Sequence, residues 1–591
     1  MRNRCWRAAL IVAVLAAEPV QSRADCTLAK IGELPVTMRG LQPMVAVKIN
    51  GADALLMADS GAFYSLISAA TAAQYRLKLH QAPPHLTLEG MGGKTEPMAA
   101  YVEELALAGQ VVRHIEFLVG GSEVGSGAVG VLGQNVLGMV DAEYDLANGV
   151  IRLMRPEGCK KALLAYWVGD GPYSVIDIER PRFQISGSAY LNGKRIDVVF
   201  DTGTASSFLS RRAAERAGFT VTGTGVESGG FSGGIGSRNY ETWVASFESF
   251  MIGDEVIHNA RLRVGDTRIP GGADMLLGAD FFLSHHVYVA NSKDKLYFTY
   301  NGGPVFDLRK HASHDAGTDR PPDAPLRSGD DTVGPSDAAG FARRGAAYAA
   351  RGDFEHAIAD FTRACELDPK EASYLRQRGS ALWSSGKPDR AMADFGAALE
   401  LKPDDIDALV SRAELHLARR NLAGASADLD AADRLAPEQA DVRLRIADTY
   451  LGADALGPAL AQFDRWIAAH PDDRHMARAK NGRCWARALL GSDLDKALKD
   501  CNDAVRMIGR SARFLDSRGL VYLRLGQYDK SIADYDASLA LEPGNAWSLY
   551  GRGVARLRKG MAAAESQSDI ADAVAIRPSI AEEFRKHGIA P

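Results

Sequence analysis

Apolar and polar positions follow two different periods along this chain. From residue 27 to about 303 the apolar residues come in short alternating runs separated by Gly and Asn turns. Met44–Ile49 precedes Asn50-Gly51, and Phe183–Leu191 precedes Asn192-Gly193. Alternation with period two predicts half-buried strands, and an Asn-Gly pair between two such runs predicts a tight hairpin. From about Ala338 the period becomes helical and a longer repeat, near 34 residues, is superimposed on it. Gly345, Tyr348, Gly352, Phe354, Ala357, Phe361, Ala364 and Pro369 mark one unit. Gly379, Leu382, Gly386, Ala391, Phe395, Ala398 and Pro403 mark the next, and Gly519, Tyr522, Gly526, Tyr528, Tyr535 and Pro543 a late copy. Small residues let paired helices approach, aromatics fill the groove between them, and the proline stops the second helix. Six clear units and a degenerate last one fit the span, with about four extra residues around Leu490–Asp493. Residues from about 304 to 337, rich in Pro, Gly, Asp, Ser and Arg, predict a flexible linker between the two regimes.

One motif occurs twice in the β part. Leu55–Ser68 reads LLMADSGAFYSLIS and Val198–Ser210 reads VVFDTGTASSFLS. In each copy an apolar strand ends in Asp, then Ser or Thr, then Gly. The strand fixes the backbone that presents the carboxylate. The hydroxyl braces the turn, and glycine lets backbone amides approach the carboxylate oxygens. The order of elements then repeats: a Gly-rich turn (Glu89–Gly93, Gly229–Gly234), an alternating run, two apolar residues before a glycine (Val131-Leu132-Gly133, Leu276-Leu277-Gly278), and a closing strand pair. Two copies of one domain would place Asp59 and Asp201 face to face. Like charges that close retain one proton between them. The ionised member activates a water and the neutral one polarises a carbonyl, which is general acid/base catalysis without a metal or other cofactor.

These residues resemble the retropepsin-like aspartic proteases, over about 40–155 and 180–300, and the phased repeats resemble the tetratricopeptide (TPR) type. The resemblance implies two all-β retropepsin-like acid protease domains, 25–156 and 157–303, a linker at 304–337, and an all-α TPR superhelical solenoid at 338–591. It implies Asp59 and Asp201 as the catalytic pair, supported by Ser60, Gly61, Thr202 and Gly203. Ala62 and Thr204 would line the cleft, and Met91 and Phe231 would lie near two flap tips. Gly133 and Gly278 would sit where the later apolar segments cross behind the Asp loops. The Asn135 position, acidic in many relatives and in the second half (Asp280), marks the first domain as a candidate degenerate partner, and neither half shows an obvious flap tyrosine. The implied function is hydrolysis of peptide or protein substrates, with a protein partner on the concave face of the solenoid. The alternative is a non-catalytic periplasmic peptide-binding scaffold on degenerate protease-like domains.

The N-terminus bounds the compartment. Arg2, Arg4 and Arg7 precede the short apolar run Ala8–Ala17, and Ser22-Arg23-Ala24 offers a cleavage site, so 1–24 is expected to be a signal peptide and the protein exported, periplasmic or extracellular. No stable transmembrane segment is expected after cleavage. Export permits disulfides; Cys26 with Cys159 is the expected bridge, and Cys484 with Cys501 either bridge across a helix pair or fill an apolar core. A formal net charge of −5 over 591 residues argues against a nucleic-acid binder, and no cysteine or histidine spacing fits a metal. His285-His286 reads as a surface or edge pair, Asp141 and Asp145 as turn or edge residues, and the Arg and Asp residues of the repeats as a solvated mixed-charge surface.

Overall fold

A computed structural model of the chain describes residues 26–591, apart from 84–85, 87, 91–92, 122–126, 160–161, 170, 180–183, 234–238, 304, 307–334, 472, 474 and 510. The expected signal peptide, Met91 and most of the expected linker lie outside the described residues. Phe306, placed in that linker by composition, is buried and meets Phe250 edge-on with ring centroids 5.2 Å apart; its apolar ring belongs to the second β domain.

Both Asn-Gly hairpins form. Gln42–Ile49 pairs with Ala52–Ala58, and Ser186–Leu191 with Lys194–Phe200. Asn50 and Gly51 (φ 50° and 85°) and Asn192 and Gly193 (φ 46° and 73°) take the left-handed conformation that a two-residue turn between twisted strands needs. Each hairpin starts a closed barrel. In the first, Gln42–Ile49 also pairs with Met98–Leu107; in the second, Ser186–Leu191 also pairs with Asn239–Ile252. Closure leaves these strands no free edge.

The two barrels share a sheet. Ser174–Asp177, Lys295–Tyr300, His285–Ala290, Asp141–Asp145, Val150–Glu157 and Thr27–Arg39 lie in that order. The central seam joins the halves antiparallel, with Ala142 opposite Val289 and Tyr144 opposite Val287. A break between residues 156 and 157, as the sequence suggested, therefore falls within one continuous piece of structure. Cys26 and Cys159 are disulfide-bonded at its end.

This sheet also corrects the histidine reading. His285 is fully buried; its Nδ1–H donates to the Phe281 carbonyl (2.8 Å) and its Nε2 faces the Glu255 carboxylate at 3.0 Å. His286 places Nε2 2.8 Å from Glu143 and stacks on Trp167 with centroids 3.9 Å apart. A strand that looks like an edge in sequence is central once the other half pairs with it. Asp141 is likewise buried, accepting from the Ser292 amide (2.7 Å) and the Tyr288 hydroxyl (3.2 Å).

The α part is a stack of seven helix pairs among the described residues, from Ala338–Ala350 with Phe354–Leu367 to Ala546–Lys559 with Ala563–Ile576, followed by the short helix Ile580–Lys586. The phased glycines act as foreseen: a Cβ on Gly345 would meet the Phe361 ring at 3.1 Å and one on Gly379 the Phe395 ring at 2.9 Å. The charged residues do not form only a solvated surface. Within a repeat an arginine on the first helix grips an aspartate on the second through two hydrogen bonds: Arg344 with Asp360, Arg378 with Asp394, Arg412 with Asp428, Arg518 with Asp534. Planar guanidinium against carboxylate fixes the distance and angle between the paired helices. Cys484 and Cys501 form a disulfide between the helices Met476–Leu490 and Leu494–Ile508. The first helix packs on the β part, with Ala342, Ala346 and Ala347 in the same apolar core as Val36 and Leu146.

Candidate functional site

The duplicated motif brings its two copies together at the junction of the barrels. Asp59 and Asp201 end the strands Ala52–Ala58 and Lys194–Phe200, and each is tied by its own amide to the segment behind it. Asp59 N–H donates to Leu132 O (3.0 Å) and Asp201 N–H to Leu277 O (2.8 Å). Those segments, Gly130–Leu132 and Met275–Leu277, run parallel to the Asp-bearing strands. Gly133 and Gly278 end them where a Cβ would strike the backbone of Tyr64 and Ser65, or of Thr204, Ser206 and Ser207, so both positions need glycine.

The residues after the aspartates lock the copies to each other. Ser60 Oγ donates to Phe200 O (2.8 Å) and accepts from Thr202 N–H (3.0 Å). Thr202 Oγ1 donates to Ala58 O (2.8 Å) and accepts from Ser60 N–H (3.0 Å). Both hydroxyls are fully buried, so each saturates a backbone pair of the opposite half. Gly61 and Gly203 lie so close to the opposing carboxyls that a Cβ on Gly61 would overlap Asp201 and one on Gly203 would overlap Asp59.

Each carboxylate is held by the amides that follow it. Asp59 Oδ1 accepts from Gly61 N–H (2.8 Å) and Ala62 N–H (2.9 Å), and Asp201 Oδ1 from Gly203 N–H (2.9 Å) and Thr204 N–H (3.1 Å). The outer oxygens differ. Thr204 Oγ1 donates to Asp201 Oδ2 at 2.7 Å, while the matching residue in the first half is Ala62, which has no hydroxyl. Burial, followed by the nearby Asp201 carboxylate, pushes the Asp59 carboxyl well above the ordinary carboxylate range. Burial and the facing carboxylate thus favour one proton retained by the pair.

The suspected degeneracy at Asn135 has a local answer. Asp280 accepts from Ser207 N–H (2.9 Å) and Ser207 Oγ (2.6 Å), and Ser207 Oγ accepts from Gly278 N–H (3.0 Å). In the first half Asn135 Oδ1 accepts from Ser65 N–H (2.7 Å) and Ser65 Oγ (2.9 Å), and Ser65 Oγ accepts from Gly133 N–H (3.1 Å). An amide oxygen does the work of the carboxylate, so the brace is intact on both sides. The cost of a charged group there shows in Asp280, which burial pushes up to about 6.

Each half carries a Gly-rich hairpin after its Asp motif: Leu88–Gly90 with Gly93–Thr95, and Glu227–Gly233 with Asn239–Ile252. Phe231 is on the first arm of the second, paired with Glu241. Sequence reading missed Tyr240, on the other arm. Its ring meets Phe208 edge-on at 5.4 Å, and burial pushes its phenol up to about 12. Its position opposite Ser232 is set by strand register, which the sequence does not display.

Comparison with known families agrees with this layout. Residues 45–139 match the family described as gag-polyprotein putative aspartyl protease, and 187–281 match aspartyl protease. Residues 338–371 and 376–440 match tetratricopeptide-repeat families, and 519–560 a TPR-repeat family. No curated protein matches the chain. Among solved structures, a tetratricopeptide repeat protein from Parabacteroides merdae is 17% identical, covering 42% of this chain and 98% of its own, with a TM-score of 0.34. YrrB, described as a TPR protein with an unusual peptide-binding site, is 19% identical over 32% of this chain and 97% of its own (TM-score 0.28). The Pseudomonas aeruginosa protein PilF is 17% identical over 36% and 94% (TM-score 0.31). The chain thus carries two retropepsin-like aspartic-protease domains in tandem, followed by an array of tetratricopeptide repeats.

Proposed function

We propose that this protein is an exported aspartic endopeptidase whose repeats bind a protein partner on their concave face. The observation that carries the proposal is the reciprocal locking of Ser60 and Thr202 across the halves, which sets Asp59 and Asp201 against each other within one chain. Asp201, with the Thr204 hydroxyl on its outer oxygen, takes a proton from a water held between the carboxylates. Asp59 donates its proton to the oxygen of the scissile carbonyl as the water attacks. A tetrahedral diol forms, and collapse with return of a proton to the leaving amine cuts the bond. Ala62 and Thr204 flank the reacting atoms, and the two hairpins close over the peptide. Export is supported by the basic-then-apolar N-terminus and by the two disulfides, which persist in oxidising compartments.

The test is cleavage of a diverse peptide library between about pH 3 and pH 8, with Asp59→Ala and Asp201→Ala beside the wild type. Loss of cleavage in each single variant is expected. Activity that survives either substitution would show that the two aspartates do not form one dyad, and absence of cleavage by the folded wild type would transfer the site to peptide binding without catalysis.

A further inference from the structure

The pseudo-twofold relation equates residues of the two cleft walls, and one pair breaks the symmetry in chemistry. In the first half Leu66 pairs with Leu118. In the second the corresponding pair is Phe208 with Arg263. On the first wall the apolar side chains of Met57, Leu66, Leu118 and Val131 are buried together against Ala62, whose amide holds Asp59, and against Leu88 of the hairpin. The second wall has Val199, Phe208 and Leu276 in the same places, with Tyr240 of its hairpin packed on them. Where the first wall has Leu118, almost fully buried, the second has the partly exposed guanidinium of Arg263.

Arg263 is held but not neutralised. Its Nη1 donates to Gly229 O (2.8 Å) and to Thr242 Oγ1 (3.1 Å), both uncharged acceptors on the hairpin. Among the described residues no carboxylate forms an ion pair with it. Arg261, two residues earlier on the same face of the strand, is matched by Glu227 at 3.3 Å. The two contacts to Nη1 orient the guanidinium and leave Nε and Nη2 without hydrogen-bond partners among the described residues. A fixed planar donor pair with no counter-charge suits a carboxylate, which it can bind through two parallel hydrogen bonds.

We propose that Arg263 makes the cleft chemically two-sided, selecting an acidic side chain, glutamate or aspartate, at the substrate position over the second half, while the first half takes an apolar one. This rests on the reading of the cleft as a peptide-cleaving site, and it names the substrate class of that site. The ring of Tyr240 forms the side of the acidic pocket, and the first wall, with the flexible Met57 among its apolar side chains, adapts to varied apolar side chains.

The test uses peptide pairs identical except for Glu, Gln or Leu at each position in turn. kcat/KM is measured at about pH 5.5, where a free glutamate is ionised. Binding of the same peptides to the Asp201→Asn variant is followed by fluorescence anisotropy. At one position Glu is expected to be favoured over Gln by about 10- to 100-fold, the range of a hydrogen-bonded charge. Arg263→Gln, which retains a donor toward Gly229, and Arg263→Leu, which copies the first half, should both abolish that preference. Arg263→Lys should keep part of it. Cleavage with no acidic preference, or a preference that survives in Arg263→Gln, overturns the proposal and leaves the peptidase reading standing. Absence of cleavage together with a Glu preference in binding that Arg263→Gln removes upholds the acidic pocket and overturns the peptidase reading. Absence of both cleavage and Glu-selective binding overturns the proposal.

Discussion

Replacing Thr204 by Ala isolates the asymmetry of the dyad. The change removes the 2.7 Å hydrogen bond from Thr204 Oγ1 to Asp201 Oδ2 and leaves the backbone amide bond to Oδ1 in place. It also makes the second motif identical to the first at this position, where Ala62 stands. A hydrogen bond to a charged acceptor contributes about 1.5–3 kcal/mol when buried. Both carboxylates keep some exposure, so the lower end, about 1.5 kcal/mol, is the better figure, and it corresponds to about one pH unit. In the proposed mechanism the pair works with one proton and Asp201 is the base, so the lost donor served the oxygen that is ionised. The pair must then first ionise at higher pH, so the acid limb of the kcat/KM profile moves up by about one pH unit. On that limb activity falls about tenfold, while the plateau and the alkaline limb, set by the proton on Asp59, stay nearly in place. The assay is a kcat/KM profile of Thr204→Ala beside wild type, with Thr204→Ser expected to restore the original limb. A uniform loss at every pH, or an unmoved acid limb, would refute the assignment of Asp201 as the base.

Two further substitutions test the supporting structure. Asp280 sits buried with its carboxyl pushed up to about 6, above its unfolded value near 3.9, so its contribution to stability is complete below about pH 4 and is lost as pH rises through about 6, by up to ~2–3 kcal/mol. Asp280→Asn, which imitates Asn135, should remove that decline in denaturant unfolding at stepped pH; an unchanged pH dependence would count against it. Replacing Cys484 and Cys501 together by Ala opens a bridge between residues 17 apart, expected to lower solenoid stability by about 3 kcal/mol with peptide cleavage unaffected, and equal melting of the solenoid with and without the bridge would contradict this.

What the sequence reveals here depends on how far apart the cooperating residues lie. The Asn-Gly hairpins and the apolar strands entering Asp59 and Asp201 are local patterns, and they appear as read. The repeats are legible because glycine, aromatic and proline recur in phase. Contacts set by register between distant segments were not legible. His285 looks like an edge residue until Asp141–Asp145 is seen to pair with its strand. The Arg–Asp grips of the solenoid join residues on different helices, so in sequence they read as scattered charge. Asn135 looked like a lesion because residue type was visible and its hydrogen-bond partner, Ser65, was not. Arg263 becomes conspicuous only beside Leu118, and that comparison requires both strand pairings.

The sheet shared between the barrels sets when in the life of the polypeptide the dyad can exist. Its strands come from residues 27–39, 141–157, 174–177 and 285–300. During synthesis the first Asp motif emerges long before the segment that completes the seam. Contacts between such distant residues form late, after the entropy of closing a long loop has been overcome. A growing chain that ends before residue 300 lacks part of the frame that aligns the carboxylates, although it already carries both. Alignment of the two carboxylates is thereby timed by topology: the polypeptide gains it as the last strands dock, about when the first helix of the solenoid becomes available to pack alongside.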